Sequence, residues 1–208
     1  MHQILMARAD DRALDPNTLE DMFRFRHKVF YERLGWEVPS RDGIERDEYD
    51  DLNPVYIVAK NRVSEIEGCW RLLPTTGPYM LQDTFGQLLH GEPAPQDPGI
   101  WEMSRLAVLP SASGERAQVT LNAITFDMIR LVYEFAIQNG IRQYVLVTSV
   151  ALERLLTRVG FPIHRLGRHK AQYVGKVLTV ACRVDINEQF RQAVYKNYTP
   201  AVEERVAA

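Results

Sequence analysis

Cysteine is scarce in this 208-residue chain: Cys69 and Cys182 stand far apart, with no Cys-x-x-Cys or Cys/His partner spacing. That argues against a disulfide framework and a metal site, and leaves both as small core residues in a reducing compartment. Long apolar runs are also missing. Nothing approaches the roughly 20 apolar residues of a membrane span, and MHQILMARADDRALD has no apolar stretch of signal-peptide length behind a basic start. The expectation is a soluble cytoplasmic protein with no membrane partner. An excess of one charge is absent too, with 25 basic against 27 acidic residues, so nothing draws the whole molecule to nucleic acid. Small molecules and proteins remain as partners. No repeat, low-complexity tract or linker divides the chain, and 46% hydrophobic residues suffice for one sizeable core. One domain is expected over 1–208, with its core from about 18 to 186 and a polar, helical tail over 187–208.

What is present is an order of periodic segments. TLEDMFRFRHKVFYERLG reads as a helix over 18–35, capped by Thr18 and stopped by Gly35, with Leu19, Met22, Phe23, Phe30 and Leu34 on one stripe. VYIVAK and EGCWRLLP around the polar turn NRVSE predict a β-hairpin. TFGQLL predicts a short helix and GEPAPQDPG a loop. Strand WEMSRLAVLP, the buried helix VTLNAITFDMIRLVYEFAIQNG, strand RQYVLVTS, helix VALERLLTRVG and strand KVLTVACRVD follow. Strands in hairpin order and then alternating strands and helices imply an α/β sandwich on a mixed sheet flanked by helices. The second half resembles the GNAT-like acyltransferase layout, a three-layer sandwich. Members that bind coenzyme A usually carry a glycine-rich pyrophosphate loop between that strand and the long helix. Here SASGERAQVT has a single glycine.

Arg26 lies near the middle of the first helix's apolar stripe, where a core residue belongs. A buried guanidinium must be paired. Either Arg26 snorkels at the core edge, or the helix lines a cleft containing carboxylates. The loop that follows, RDGIERDEYDD over 41–51, has six acids in eleven residues. It lacks the alternate-position acids, the sixth-position glycine and the closing glutamate of an EF-hand. It is either a solvated acidic run or part of a pocket for a cationic small molecule. Asp47 and Asp50, three apart, share a side if RDEYD turns helically.

Strand WEMSRLAV carries Glu102 and Arg105, which face opposite ways in a regular strand and come together only across a β-bulge. Arg71 is a further charge inside an apolar strand. Each alone suits a structural salt bridge. Together, three arginines and three acids at interior-looking positions are too many for a plain core. Phe30, Trp36, Phe85 and Trp101 surround the set, either as packing or as an aromatic wall for a sulfonium or ammonium group.

These residues, in this order, resemble the acyl-homoserine lactone synthases of the LuxI type, the autoinducer synthases of bacterial quorum sensing. The pattern is R-x-x-V-F-x-x-x-L-G-W (Arg26, Phe30, Trp36), R-D-E-Y-D (Asp47, Asp50), C-x-R-L-L-P-T-T (Arg71), D-T-F (Phe85) and W-E-x-S-R (Glu102, Ser104, Arg105). The resemblance implies transfer of an acyl chain from acyl carrier protein to the amine of S-adenosylmethionine. Lactone closure then releases methylthioadenosine. S-adenosylmethionine is a substrate, so no cofactor is implied, and no metal. The resemblance also implies Glu102 as the base, with Arg105 and Asp47 beside it, and an S-adenosylmethionine site of Arg26, Phe30, Trp36, Asp47, Asp50, Arg71 and Phe85.

Trp101, Ser104, Leu106, Leu146 and Thr148 are the implied acyl-chain pocket. Leu106 stands where many members carry an aromatic, and Leu146 where members favouring 3-oxo chains often carry threonine, which points to an unsubstituted chain. The carrier protein is acidic in this family. Arg154, Arg158, Arg165, Arg168 and Lys170, in a stretch with no acid from 154 to 170, are the implied docking face. The alternatives are an N-acyltransferase using acyl-coenzyme A, opposed by the single glycine, and a non-catalytic small-molecule sensor, opposed by retention of Glu102 with the arginines.

Overall fold

The structure, a computed structural model, describes residues 2–109, 123–196 and, for the backbone, 202–206. The chain opens with β1 (His2–Arg8) and α1 (Pro16–Arg26), which runs on as a π-helix over His27–Arg33. The two-residue strands β2 (Ser40–Arg41) and β3 (Ile44–Glu45) and a 3-10 turn at Glu48–Asp51 lead into β4 (Val55–Lys60) and β5 (Ile66–Pro74). The short α2 (Met80–Asp83) and a 3-10 turn at Gly86–Leu89 precede β6 (Ile100–Val108), α3 (Ala123–Gln138), β7 (Gln143–Ser149) and α4 (Val150–Val159). The chain then forms β8 (Ile163–Arg165), a 3-10 turn at Gly167–His169, β9 (Gln172–Val174), β10 (Val177–Asp185), α5 (Glu188–Lys196) and β11 (Val202–Val206). Among the described residues nine strands make one mixed sheet in the order β11-β1-β4-β5-β6-β7-β10-β8, with β9 paired to β10.

Helices cover both faces, as the alternation of strands and helices implies. On one face Trp70, Leu72, Trp101, Met103, Leu146 and Cys182 pack against Met128, Ile129, Leu131 and Val132 of α3 and Phe190 and Val194 of α5. On the other, Tyr56, Val58 and Cys69 meet Met22, Phe25, Val29 and Phe30. Beside them Val145 and Ala181 are covered by Tyr79, Leu81, Leu88 and Leu89. Among the described residues no helix is long and apolar enough to cross a membrane.

Several local expectations change. The first helix is capped by Asp15, whose carboxylate accepts from the amides of Asn17 and Thr18, with Pro16 in its first turn; Asp-Pro is a stronger start signal than Thr18. Its last turns widen into π geometry, which rotates the apolar stripe so that Val29 and Phe30 are buried and Leu34 is 43% exposed. Strand β1 carries little sequence signal, because four consecutive buried residues flanked by polar ones give no clear period. The single-glycine segment over 111–120 lies outside the described residues.

Two irregularities create the site. Strands β6 and β7 run parallel and pair only from Ile100↔Gln143 to Met103↔Leu146, although both continue further. Beyond that point β6 bulges. From Cys69↔Ala107 to Arg71↔Ser104, two steps on β5 oppose three on β6, and Arg105 takes a φ of +57°.

Candidate active site

Arg26 ends α1 facing the sheet, 1% exposed, and the acidic loop folds back to meet it. Strands β2 and β3 form a minimal hairpin around Asp42-Gly43, both with positive φ, which Asp-Gly accommodates. That hairpin turns Glu45 inward. Asp47 then caps the next turn in a reciprocal box: its carboxylate accepts from the Tyr49 amide, and Asp50 accepts from the Asp47 amide. Both carboxylates are thereby fixed on one side, as their spacing suggested.

Three arginines meet three acids there. Arg26 donates to Asp50 through Nη1 and Nη2 at 2.8 and 3.0 Å and to Glu45 through Nε at 2.5 Å. Arg71 bonds both oxygens of Asp47, reaches Asp50 at 2.7 Å and donates through Nε to Ser104 at 3.1 Å. Arg105 donates to Glu45 at 3.0 Å and lies 2.8 Å from Asp47. The Tyr56 hydroxyl donates to Asp50 at 2.6 Å. All six charged side chains are at most 8% exposed. Burial would lift the Asp50 carboxyl, but the Arg26 and Arg71 guanidiniums overrule it and hold it well below the usual range. Arg26 does not snorkel; it is paired on every side.

Glu102 lies on the same sheet face. Its carboxylate accepts from the amides of Met80 at 3.0 Å and Leu81 at 2.7 Å. Burial pushes its pKa up, and those amides, with Arg71 and Arg105, offset this only in part, leaving it at about 7. A buried carboxyl poised near neutrality beside fixed positive charge can exchange a proton with a bound ligand.

The aromatic candidates separate. Phe30 and Trp36 stack at 5.2 Å, and Arg105 sits 5.7 Å from the Phe30 ring centroid. Phe85 packs against Tyr49, Leu73 and Met80. Trp101 is on the opposite face, edge-on to Phe135 of α3. Leu106 and Leu146 join it there, and strand alternation puts Thr148 on that face too. Ser104, bound to Arg71, lies on the ionic face instead. Of the basic stretch, Arg154, Arg158, Arg168 and Lys170 are exposed. Arg165 is clamped by Glu153 at 2.7 and 2.6 Å, the acid just before the stretch.

Sequence reasoning missed Glu45, Tyr56 and Met80. Within the acidic run Glu45 reads like any solvated carboxylate, whereas its side chain is fully buried between Arg26 and Arg105. The Asp-Gly turn signal in RDGIE could have oriented it. Tyr56 and Met80 give no sequence signal, since each reads as core.

The sequence model of the family described as autoinducer synthase matches residues 10–194. The acyl-homoserine-lactone synthase of Aliivibrio fischeri is 39% identical over 191 residues, spanning 92% of this chain and 98% of that protein. The crystal structure of the AHL synthase LasI is similar with a TM-score of 0.83 at 35% identity, covering 97% of this chain and 98% of that one. BjaI, a CoA-dependent acyl-homoserine lactone synthase, has a TM-score of 0.83 at 30% identity, covering 99% and 94% of the two chains. It has been solved with SAM and isopentyl-CoA, and also with MTA.

Proposed function

This chain belongs to the autoinducer synthase family and is an acyltransferase of the acyl-homoserine-lactone synthase type; from that premise we propose that it acylates the amine of S-adenosylmethionine from acyl carrier protein and closes the lactone. The observation that carries the proposal is Glu102, a buried carboxyl with a pKa of about 7, set beside the ionic cluster of Arg26, Arg71 and Arg105 with Glu45, Asp47 and Asp50. The substrate amine must lose a proton before it attacks. Glu102 takes that proton directly or through water. The nitrogen bonds to the thioester carbonyl carbon and the carbon–sulfur bond breaks. The second proton that the nitrogen loses in becoming an amide leaves with the thiol, while the first stays on Glu102 until it passes to solvent.

The methionine carboxylate oxygen then attacks its own γ-carbon. The bond from that carbon to the sulfonium breaks, sulfur takes the electron pair, and methylthioadenosine departs neutral. Ring closure needs no added nucleophile, only proximity. The bulge at Arg105 leaves strand amides outside the regular ladder, where they suit the oxyanion of the first step. The Phe30–Trp36 stack offers a face for the sulfonium. Asp47 and Asp50 hold the arginines that receive the substrate.

Two features support acyl carrier protein as donor: the single glycine in the 111–120 segment, and the exposed Arg154, Arg158, Arg168 and Lys170, which suit an acidic carrier. The CoA dependence of BjaI favours acyl-coenzyme A as the second reading. Incubation with S-adenosylmethionine and a panel of both thioesters, read by mass spectrometry, tests the proposal. Acyl-homoserine lactone and methylthioadenosine should appear together, fastest with carrier-bound chains. No methylthioadenosine across the panel would refute it.

A further inference from the structure

Met80 touches both halves of the site. Its amide donates to Glu102 at 3.0 Å, while its Sδ lies 3.1 Å from Arg71 Nη2 and 3.2 Å from Arg105 Nη1. The residue is 5% exposed. The other donors of these two arginines go to carboxylates or to Ser104. For Arg105 Nη1, the thioether is the only hydrogen-bond partner among the described residues.

A thioether is a poor acceptor for a guanidinium, whereas a carboxylate is the acceptor that this donor fork fits. Sulfur therefore fills a place that an incoming carboxylate would take with a gain in free energy. The side chain is suited to yield. Methionine is unbranched with three rotatable bonds, so its sulfur can swing aside while its amide stays on Glu102.

We propose that Met80 is a positioning residue that caps a carboxylate subsite made by Arg71 Nη2 and Arg105 Nη1, and that the methionine carboxylate of the substrate binds there by displacing the Met80 sulfur. This rests on S-adenosylmethionine being the substrate. The carboxylate and the amine share one carbon. Anchoring the carboxylate where Sδ now sits therefore brings the amine to the neighbourhood of Glu102, which the same residue holds through its backbone.

The test compares S-adenosylmethionine with its decarboxylated analogue, which keeps the sulfonium and the amine, by isothermal titration calorimetry. Met80→Leu fills the volume but offers no acceptor, so Arg105 Nη1 loses its acceptor and Arg71 Nη2 keeps only Asp47, and the substrate carboxylate meets both with no sulfur to displace. S-adenosylmethionine should bind about fivefold tighter than to wild type, with the decarboxylated analogue unchanged. Met80→Gln restores an acceptor stronger than sulfur and should lower the preference for the carboxylate-bearing ligand below the wild-type value. An equal shift of both ligands, or the reverse order of the two variants, overturns the inference while leaving the proposed reaction intact. A wild-type protein that binds neither ligand overturns the reaction, and the inference with it.

Discussion

Replacing Glu45 by Gln removes one charge from a buried set that holds three of each sign: Arg26, Arg71 and Arg105 against Glu45, Asp47 and Asp50. Volume is kept, and Arg26 retains Asp50 while Arg105 retains Asp47. One positive charge is nonetheless left without compensation where the side chains of Arg26 and Arg105 are 1% and 8% exposed. Removing one partner from a buried pair costs about 3–5 kcal/mol. At this chain length each kcal/mol moves the melting midpoint by about 2–4 °C, so a fall of about 6–20 °C is expected. Scanning calorimetry measures it, and urea titration checks that the dependence on denaturant is unchanged.

Two neighbours in the same loop serve as controls. Glu48→Gln and Asp51→Asn should leave the midpoint where it is, because both residues are exposed and the Asp51 partner, Arg46, is itself half-exposed. The double variant Glu45→Gln/Arg105→Gln should recover part of the loss, since it restores the charge balance. A folded Glu45→Gln protein melting within about 2 °C of wild type would refute the account of the network as mutually compensating buried charge.

Glu102 predicts a pH signature. Its pKa rises from 4.5 to about 7 on folding, so the folded chain holds more protons between those values, and its contribution to stability falls as pH rises across that window. The melting midpoint of wild type minus that of Glu102→Gln should decline from pH 4.5 to 7 and be flat outside; a rise would reverse the assignment. Turnover should increase as pH rises through about 7, and Glu102→Gln should lose at least about 100-fold. Charge reversal at Arg154 and Arg158 should raise KM for carrier-bound substrate at unchanged stability. At Arg165 it should lower the melting midpoint instead, because it breaks the Glu153 clamp; equal KM effects at all three positions would make Arg165 a docking residue after all. Gly167→Ala should cost about 2–4 kcal/mol, since Gly167 has φ +61° and an added Cβ would lie 2.0 Å from the Leu88 carbonyl oxygen. An unchanged midpoint would mean that this turn yields freely.

The sequence by itself determined the frame. Apolar periods of two and near 3.6 placed the β4–β5 hairpin, α3, β7, α4 and β10 within a few residues, because each buries a regular face whose period is set by backbone geometry. It also marked Arg26, Arg71, Arg105 and Glu102, since charge at an interior position stands out against an apolar background, and it set Asp47 and Asp50 apart within the acidic run by their spacing of three. Only tertiary structure decided what those charges meet. Glu45 reads like its solvated neighbours until an Asp-Gly turn rotates it onto Arg26. Arg105 reads as facing away from Glu102 until a bulge turns its backbone. Arg165 reads as free until α4 brings Glu153 across. Met80 reads as core until its sulfur is seen between two guanidiniums. The period of a strand or helix is local and is written in consecutive residues. The pairing of a charge depends on which chain segment arrives from 19 or 60 positions away, and no local pattern records that.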